Sequence, residues 1–376
     1  MKISIDSRTI QPGDYFIPVD GPHFKGRDFF NEVIKKGGII LDVDLADYAK
    51  KYRRKLTCPV IGITGSAGKT TAKDMLTSVL KSKFKHVVST QENLNNQVGV
   101  PLTILKADAN TEVLIVEMGM RFKGEIAKLS KILRPTHALI TSIGLTHIQN
   151  FKRPIDIARA KSEIFQSPLA WEKKERVAFI NYSSAYPDFV SKIAQKKEFL
   201  VFPFQGETLP EQNLSLCYHL GRHFGLSDED IKKGIDAFQT SSHRMKKHHV
   251  NGGVVLDDSY NANPDGMKYA LQCLSYYKGR KIAVLADMLE LGVFSEKEHK
   301  KLLQYCIEAG VSLVFTFGDH IKALKSSDME IFHFNEKSKL IDALKQEMKK
   351  GDVVLVKGSR GMRMEEVVNA ILGHAV

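Results

Sequence analysis

From residue 60 onward, short apolar runs alternate with longer segments in which apolar residues recur at helical spacing. The short runs are continuously apolar, which is typical of parallel strands that are buried on both faces. Strands and helices in alternation predict βαβ units, so we expect an α/β fold with mostly parallel sheets. The predicted strands are 113–118, 137–143, 175–181, 199–202, 254–258, 281–286, 312–317 and 352–357.

Helix signals fall between these strands. Residues 124–133 have helical spacing, and Ser227 followed by an acidic first turn is a good N-cap for a helix over 227–238. Further helices are predicted at 267–274, 296–309, 339–350 and 364–372.

The length of 376 residues exceeds that of one ordinary domain, and we predict three. Residues 1–57 form a small unit, in which Gly/Pro-rich turns separate short strands and a helix lies near 28–36. The basic run at 50–55 is expected to be a linker. Residues 58–240 form a central domain, and residues 241–376 form a C-terminal domain.

The composition is that of a globular protein, with 43% hydrophobic and 26% charged residues. The first residues lack the apolar core of a signal peptide, and no apolar run is long enough to cross a membrane. Four widely spaced cysteines suggest reduced thiols. We therefore predict a cytoplasmic protein without a membrane span.

The net charge of +12 favours anionic partners such as nucleotides or acidic substrates. The basic clusters near residues 50, 80 and 245 are short and lack interleaved aromatic residues. We interpret them as solvated faces and expect no nucleic-acid partner.

The sequence GITGSAGKTT at 62–71 follows a short apolar stretch and precedes a helix-like segment. A strand, a glycine-rich turn and a helix form the layout that holds nucleotide phosphates. Its spacing is tighter than usual, because Ile63 stands where the first glycine of the common pattern would fall. The alternative is a turn that only caps a helix. The predicted nucleotide-binding residues of the loop are Gly65, Ser66, Ala67, Gly68, Lys69, Thr70 and Thr71.

Further polar residues follow predicted strands. Glu117 ends a strand near the place where a Mg²⁺ beside the phosphate loop would lie. Taken alone, it is also consistent with a helix cap, His147 with a surface histidine and Lys161 with an exposed lysine. Arg244 is suited to pairing with a phosphate. The glycine-rich 358–361 segment is either an anion-binding loop or a plain strand-to-helix turn.

Several motifs occur in an order that resembles the Mur ligase family, from Ser4 to the end of the chain. They are GITGSAGKTT, ENLNNQVGVPLTIL, VEMGMRFKGEIAKL, THIQNF, ARAKSEIF, LDDSYNANPDGM, LADMLELG and VLVKGSRGMRMEEVV. The resemblance implies a three-domain architecture, with a central ATPase sheet and a Rossmann-like C-terminal domain. It also implies a Mg²⁺- and ATP-dependent ligase of peptidoglycan precursors that forms an amide through an acyl phosphate. Within the family, the chain is most similar to the ligases that add D-alanyl-D-alanine to a UDP-N-acetylmuramoyl-tripeptide.

The resemblance also implies roles for individual residues. Thr70 and Glu117 match ligands of a first Mg²⁺, and His147 matches a ligand of a second. Lys161 matches a lysine that is carbamylated in many members. The expected catalytic residues are Lys69, His147 and Lys161. The implied nucleotide contacts are Arg244, Asp258 and Asn261, and the implied substrate contacts are Ser7, Arg8, Asn95, Asn96, Lys357, Ser359 and Arg360.

The sequence departs from the family pattern mainly on the substrate side. The N-terminal unit is short, Arg27 replaces a usual histidine, and a stretch between about Phe204 and Leu214 is missing. One alternative is therefore a ligase for a different acid and amine, and another is a non-catalytic nucleotide-binding regulator. We expect a monomer with its ATP site between the central and C-terminal domains, which close on the nucleotide.

Overall fold

The computed structural model describes residues 2–167, 175–240, 243–250, 252–324, 326–327 and 329–373. Close contacts group the chain into two compact units, residues 1–143 with 155–238 and residues 144–154 with 239–376. The segment 144–154 therefore packs with C-terminal residues, although it precedes the predicted boundary at 240. That boundary adjoins residues 241 and 242, which lie outside the described residues, and the division at 57 and 240 stays a prediction.

A small three-stranded parallel sheet opens the first unit, in the order β1-β2-β3. Buried Ile10, Phe16 and Val33 form its core. The predicted short strands and the helix near 28–36 are confirmed. The elements are β1 (Ile3–Ser4), β2 (Tyr15–Phe16), α1 (Phe30–Lys35), β3 (Ile39–Ile40) and α2 (Leu45–Arg53).

The basic run at 50–55 lies largely on helix α2, so its prediction as a linker was wrong. The Arg53 side chain is buried rather than solvated. Its guanidinium donates hydrogen bonds to the carbonyl oxygens of Leu56, Leu133 and Arg134 at 3.0, 2.8 and 3.2 Å. Burial lowers the pKa of Arg53 to about 10. The three acceptors offset the cost of burying this cation, so Arg53 holds α2 against its neighbours.

Six parallel strands form the second sheet, in the order β5-β6-β4-β7-β8-β9, which confirms the expected α/β fold. The four inner strands are β4 (Val60–Thr64), β6 (Val113–Glu117), β7 (His137–Ile140) and β8 (Arg176–Asn181), and all are buried along their whole length. Their carboxyl ends meet at one edge of the sheet, where ligands bind in folds of this kind. The outer strands are β5 (Val87–Ser89) and β9 (Phe199–Phe204).

Helices cover this sheet, and α3 and α8 pack against its central strands through residues such as Leu76 and Leu216. Ser227 caps α9 as predicted, because its hydroxyl accepts a hydrogen bond from the Asp230 amide. The helices are α3 (Lys69–Lys81), α4 (Gly99–Leu105), α5 (Glu125–Leu133), α6 (Pro154–Lys161), α7 (Pro187–Lys196), α8 (Leu209–His223) and α9 (Asp228–Asp236).

The second unit contains another six-stranded sheet, in the order β10-β11-β15-β12-β13-β14. All its pairings are parallel except that of β10 with β11. The strands are β10 (Lys246–Val250), β11 (Gly253–Asp258), β12 (Lys281–Ala286), β13 (Leu313–Phe317), β14 (Glu330–Phe334) and β15 (Val353–Lys357). The helices are α10 (Pro264–Ser275), α11 (Ser295–Glu308), α12 (Lys337–Glu347) and α13 (Glu365–Leu372).

The four cysteines are free thiols, as predicted. Burial raises the pKa of Cys217 and that of Cys306 to about 12, so both behave as small apolar core residues. Within the described ranges, no helix combines the length and the apolar character that crossing a bilayer requires.

Candidate active site

The predicted phosphate loop joins β4 to α3. Gly68 precedes the first helical residue with a φ of 78°, a left-handed conformation that glycine adopts at little steric cost. A Cβ atom on Gly65 would lie 1.9 Å from the Thr141 hydroxyl oxygen, so a larger residue would force the loop to move. The loop thus ends at the N-terminus of a 13-residue helix, where backbone N–H groups and the helix dipole favour phosphate.

Two polar residues that follow β7 brace this loop. The Ser66 and Ala67 amides donate to the carbonyl oxygen and to the hydroxyl of Ser142, both at 2.8 Å. The Thr141 hydroxyl donates to the Ala67 carbonyl oxygen at 2.6 Å. The sequence pattern did not single out Thr141 or Ser142. Their only signal was their position just beyond a strand that neighbours β4.

Lys69 is the first residue of α3, and its ammonium donates to the Gly65 carbonyl oxygen at 2.9 Å. The side chain therefore folds back over the loop instead of extending along the helix. A cation in this position is suited to neutralising the charge of bound phosphates.

Thr70 and Glu117 meet where α3 begins and β6 ends. The Thr70 hydroxyl donates to Glu117 Oε2 at 2.8 Å, and the Asn95 side-chain amide donates to Oε1 at 2.7 Å. Glu117 is only 2% exposed, and its backbone N–H donates to the Thr90 hydroxyl at 2.9 Å. A hydroxyl beside a rigidly held carboxylate supplies the oxygen ligands that Mg²⁺ prefers, so these residues fit that ion.

The donor set consists of oxygen atoms, which suit a hard cation. In the part of the chain that the structure describes, no three His, Cys, Asp or Glu side chains are grouped to hold a metal ion. Zinc sites need three or four such ligands, whereas Mg²⁺ is held by one or two carboxylates together with water and substrate phosphates.

Lys161 is the last residue of α6 and is buried, with 2% exposure. Among the described residues, none forms a hydrogen bond or an ion pair with its amine. Burial, and then the charge of Lys69, lower the pKa of Lys161 well below its ordinary value. Buried Lys73 is different, because it donates to the Thr90 carbonyl oxygen at 2.6 Å and pairs with Asp74 at 2.5 Å. Lys161 is therefore the buried lysine whose surroundings favour the neutral amine.

The predicted substrate contacts Asn95 and Asn96 both have partners inside the chain. Asn95 holds the Glu117 carboxylate, as described above. The Asn96 side-chain oxygen accepts hydrogen bonds from the Val98 and Gly99 amides at 3.0 and 2.9 Å, and thereby holds the turn that leads into α4. Both amides thus shape the loop before α4.

The candidate metal ligands are divided between the two units. Thr70, Glu117 and Lys161 belong to the first, whereas His147 lies in the 144–154 segment that packs with the second. The His147 ring is hydrogen-bonded through Nδ1 to the Glu290 carboxylate.

In the second unit, Asp258 and Lys357 form a buried ion pair at the ends of the adjacent strands β11 and β15. The Lys357 ammonium lies 2.5 Å from Asp258 Oδ2 and donates to the Asn261 carbonyl oxygen at 2.8 Å. The Met245 amide donates to the other Asp258 oxygen at 3.1 Å. Burial raises the pKa of Asp258, and the charge of Lys357 opposes that rise. The resemblance implies that Asp258 contacts the nucleotide and that Lys357 contacts a substrate. In this structure the two side chains bind each other.

Backbone contacts link the loops after β11, β12 and β15. The Asn261 side-chain oxygen accepts a hydrogen bond from the Arg360 amide at 3.2 Å. Ser359 accepts one from the Leu289 amide at 2.9 Å, and its own amide donates to the Asp287 carbonyl oxygen at 3.1 Å. Asn261, Ser359 and Arg360 therefore lie together.

Two of the predicted anion-binding cations flank one aromatic ring. The Arg244 guanidinium lies 4.1 Å from the Tyr260 ring centroid, and that of Arg360 lies 5.8 Å from it. Contact with an aromatic face leaves the N–H edge of a guanidinium to bind anions, and that of Arg360 pairs with Glu365 at 3.0 Å. Tyr260 was not singled out from the sequence, although it lies within the DDSYNANP motif.

The predicted substrate contacts of the N-terminal unit differ in exposure. Ser7 is buried and its hydroxyl donates to Glu32 at 2.8 Å. Arg8 is exposed and pairs with Asp6 at 2.8 Å, and this hydrogen bond lowers the pKa of Asp6 to about 2. Arg27, which stands in place of the usual histidine, pairs with Asp42 at 3.1 Å. Arg8 is thus the predicted N-terminal contact that solvent reaches.

Comparisons with known proteins give a consistent family. Residues 63–232 match the Mur ligase middle domain, and residues 243–360 match the Mur ligase, glutamate ligase domain. The UDP-N-acetylmuramoyl-tripeptide–D-alanyl-D-alanine ligase of Bacillus subtilis is 32% identical over 424 positions, which cover 98% of this chain and 93% of that protein. Because 424 positions exceed the 376 residues of this chain, that relative has segments that this chain lacks.

Solved structures agree with this result. MurF from Acinetobacter baumannii is 26% identical with a TM-score of 0.86, over 99% of this chain and 93% of that one. MurF ligase from Thermotoga maritima in complex with ADP is 26% identical with a TM-score of 0.84, over 98% of this chain and 96% of that one. The architecture described above is therefore that of these ligases.

Proposed function

Because the chain belongs to the Mur ligase family, we propose that it joins D-alanyl-D-alanine to a UDP-N-acetylmuramoyl-tripeptide at the expense of ATP. This is the reaction named for the Bacillus subtilis relative. The product would be a precursor of peptidoglycan. A site for ATP is supported by the phosphate loop and by the ADP complex of the Thermotoga maritima ligase.

The chemistry has two steps. A carboxylate oxygen of the peptide attacks the γ-phosphorus of ATP, which releases ADP and leaves an acyl phosphate. The amine of the second substrate then attacks the carbonyl carbon, and the phosphate departs with one oxygen of the original carboxylate. Lys69 and the N-terminus of α3 would stabilise the negative charge on the transferred phosphoryl group.

Thr70 and Glu117 would hold one Mg²⁺, and His147 would be a ligand of a second. A carbamylated Lys161 would supply a further oxygen ligand. Bound Mg²⁺ supplies charge neutralisation and alignment of the phosphate oxygens. The observation that carries the proposal is the contact between the Thr70 hydroxyl and the buried Glu117 carboxylate beside the phosphate loop.

Modification would make Lys161 a suitable ligand, because Mg²⁺ prefers oxygen ligands to an amine nitrogen. A neutral amine attacks the carbon of CO₂ and loses a proton, which gives a carbamate whose two oxygens share one negative charge. The lowered pKa of the buried Lys161 favours the neutral amine that this reaction needs. We therefore propose that Lys161 is carbamylated.

The remaining site residues are assigned to the three substrates. We assign the nucleotide to Arg244, Asp258 and Asn261, the UDP-sugar peptide to Ser7, Arg8, Asn95 and Asn96, and the incoming amine to Lys357, Ser359 and Arg360. Several of these side chains also stabilise loops, so their substitution would affect both binding and folding. Both ATP and UDP-sugars are cytosolic metabolites, and we infer a cytoplasmic, monomeric enzyme.

The experiment that tests this function supplies the protein with ATP, Mg²⁺, the UDP-muramyl-tripeptide and D-alanyl-D-alanine. We expect phosphate release that requires both substrates and equals the amount of pentapeptide product found by mass spectrometry. A Lys69→Met variant that remains folded should release far less phosphate. Folded wild-type protein that releases none with this pair would contradict the proposal.

A second candidate is a ligase of the same chemistry for another acid and amine. The segments that this chain lacks relative to its Bacillus subtilis relative favour it, since the sequence departs from the family pattern mainly on the predicted substrate side. A panel of UDP-muramyl peptides and amino acids or dipeptides, scored by ADP release, separates the two candidates.

A further inference from the structure

His147 and Glu290 are both in a left-handed backbone conformation, with φ of 60° and 64°. Such values are uncommon for residues other than glycine and persist only where surrounding contacts impose them. These two strained residues are hydrogen-bonded to each other through the His147 ring and the Glu290 carboxylate. Their side chains are 20% and 33% exposed, so the contact is largely shielded from water.

Glu290 also contacts the backbone of the 144–154 segment, which contains His147. Its backbone carbonyl oxygen accepts a hydrogen bond from the Gln149 amide at 3.2 Å. Gly292 has a φ of 53°, and a Cβ atom there would lie 3.3 Å from the Gln149 Cα atom. One residue therefore binds both the His147 ring and the backbone just after it, in a turn packed closely against the 144–154 segment.

The geometry points to Glu290 as the residue that positions His147 for metal binding, a role that rests on the proposed function. The Glu290 carboxylate accepts a hydrogen bond from Nδ1–H and so keeps the ring proton on that nitrogen. The lone pair of the neutral ring is then on Nε2, the nitrogen that would ligate a divalent cation. A carboxylate behind a histidine ligand fixes the tautomer and the ring orientation in this way.

This role also gives a function to Glu290 within the LADMLELG motif, for which the sequence alone indicated no chemistry. Glu290 itself need not touch substrate or metal. It acts through His147 and is a positioning residue, not a catalytic one.

The first test reads the tautomer directly and needs no substrate. Protein labelled with ¹⁵N-histidine is studied by NMR as wild type, Glu290→Ala and Glu290→Gln, with His147→Asn used to assign the resonance. We expect a protonated Nδ1 in the wild type and in Glu290→Gln, because an amide oxygen still accepts the hydrogen bond. In Glu290→Ala the proton should redistribute toward Nε2.

The second test measures metal binding. Mn²⁺ is titrated by electron paramagnetic resonance in the presence of β,γ-methylene-ATP. Loss of a partner behind a metal ligand lowers affinity about 10- to 100-fold, so Glu290→Ala should weaken one class of Mn²⁺ site by that factor. Glu290→Gln should remain within about threefold of wild type.

The matched control is Glu296→Ala, which removes the same charge six residues later. Glu296 is exposed and pairs with Lys300 at 2.6 Å. This variant should bind Mn²⁺ like the wild type, and thermal denaturation should show that every variant is folded.

Two results would overturn the inference. One is a Glu290→Ala variant with the wild-type tautomer and the wild-type Mn²⁺ isotherm. The other is a His147 resonance that bound Mn²⁺ does not broaden. Neither result depends on phosphate release by the wild type with its substrate pair, so failure of the proposed function is scored separately.

Discussion

The Thr70 hydroxyl donates a 2.8 Å hydrogen bond to the Glu117 carboxylate, across the gap between the phosphate loop and the neighbouring strand. Two residues 47 positions apart are thereby fixed at one edge of the sheet. Because the hydroxyl and the carboxylate both present oxygen atoms, their contact is suited to become a Mg²⁺ site.

The first prediction concerns Glu117→Gln. The amide keeps the shape of the side chain but removes the anionic oxygen that a hard cation needs. We expect the Mg²⁺ concentration for half-maximal phosphate release to rise at least about tenfold, as measured by Mg²⁺ titration of activity. The exposed Glu229→Gln in α9 serves as the control and should leave the titration unchanged. An unaltered Mg²⁺ requirement in Glu117→Gln would remove this residue from the metal site.

The second prediction concerns carbamylation of Lys161. Protein equilibrated with ¹³C-bicarbonate should show a carbamate carbon resonance that is absent from Lys161→Arg. The resonance should persist in Lys73→Arg, because the Lys73 ammonium is already held by Thr90 and Asp74. Lys161→Ala should be nearly inactive, and short carboxylic acids should restore part of its activity by replacing the missing oxygens. A Lys161→Arg variant that retains the signal would contradict the assignment.

The third prediction concerns the buried pair Asp258 and Lys357. Lys357→Met leaves a buried carboxylate without its cation, which should lower the free energy of unfolding by about 3–5 kcal/mol. The double variant Asp258→Asn/Lys357→Met should lose less, because no charge is left unpaired. Urea denaturation gives the free energy of unfolding of the wild type, the single variant and the double variant. Lys300→Met, which breaks an exposed pair, should cost under about 1 kcal/mol. Equal losses in the single and double variants would show that the pair is not energetically coupled.

The fourth prediction concerns stability in acid. Burial, and then the charge of His223, lower the pKa of His137 to about 3, and the two ring Nε2 atoms lie 3.0 Å apart. Because this folded-state pKa is below that of the unfolded chain, the unfolded chain binds the proton first as the pH falls. Stability should therefore be unaffected above about pH 6.5 and should fall by up to about 1.4 kcal/mol per pH unit below it.

Urea denaturation at pH 7, 6 and 5 measures this loss. His137→Phe should reduce the pH dependence of the free energy of unfolding by the equivalent of about one proton taken up on unfolding. His219→Gln, an exposed position on the same helix as His223, should leave this pH dependence unchanged. A His137→Phe variant with the wild-type slope would contradict the prediction.

The inner strands could be predicted from sequence because burial on both faces leaves a continuous apolar run. The missed strands β5, β10 and β14 all lie at sheet edges, where a strand is paired on one side only. β10 has the sequence KKHHV, whose charge resembles that of a solvated segment. The basic residues of α2 likewise resemble a solvated linker, because only the tertiary structure shows that Arg53 is buried.

The candidate site divides in the same way. The phosphate loop is local, so seven adjacent residues could be predicted together from their spacing. The burial of Lys161 and the contact of His147 with Glu290 depend on residues far apart in the chain. Their sequence surroundings resemble an exposed helix and a surface loop, which is why spacing alone did not reveal them.

The most direct measurement of the central claim follows an oxygen atom. The tripeptide substrate is prepared with ¹⁸O in its reacting carboxylate and is converted with ATP and D-alanyl-D-alanine. Transfer through an acyl phosphate predicts one ¹⁸O atom in each released phosphate and one in the new amide. Phosphate without ¹⁸O, or release of AMP and pyrophosphate, would contradict an acyl-phosphate ligase.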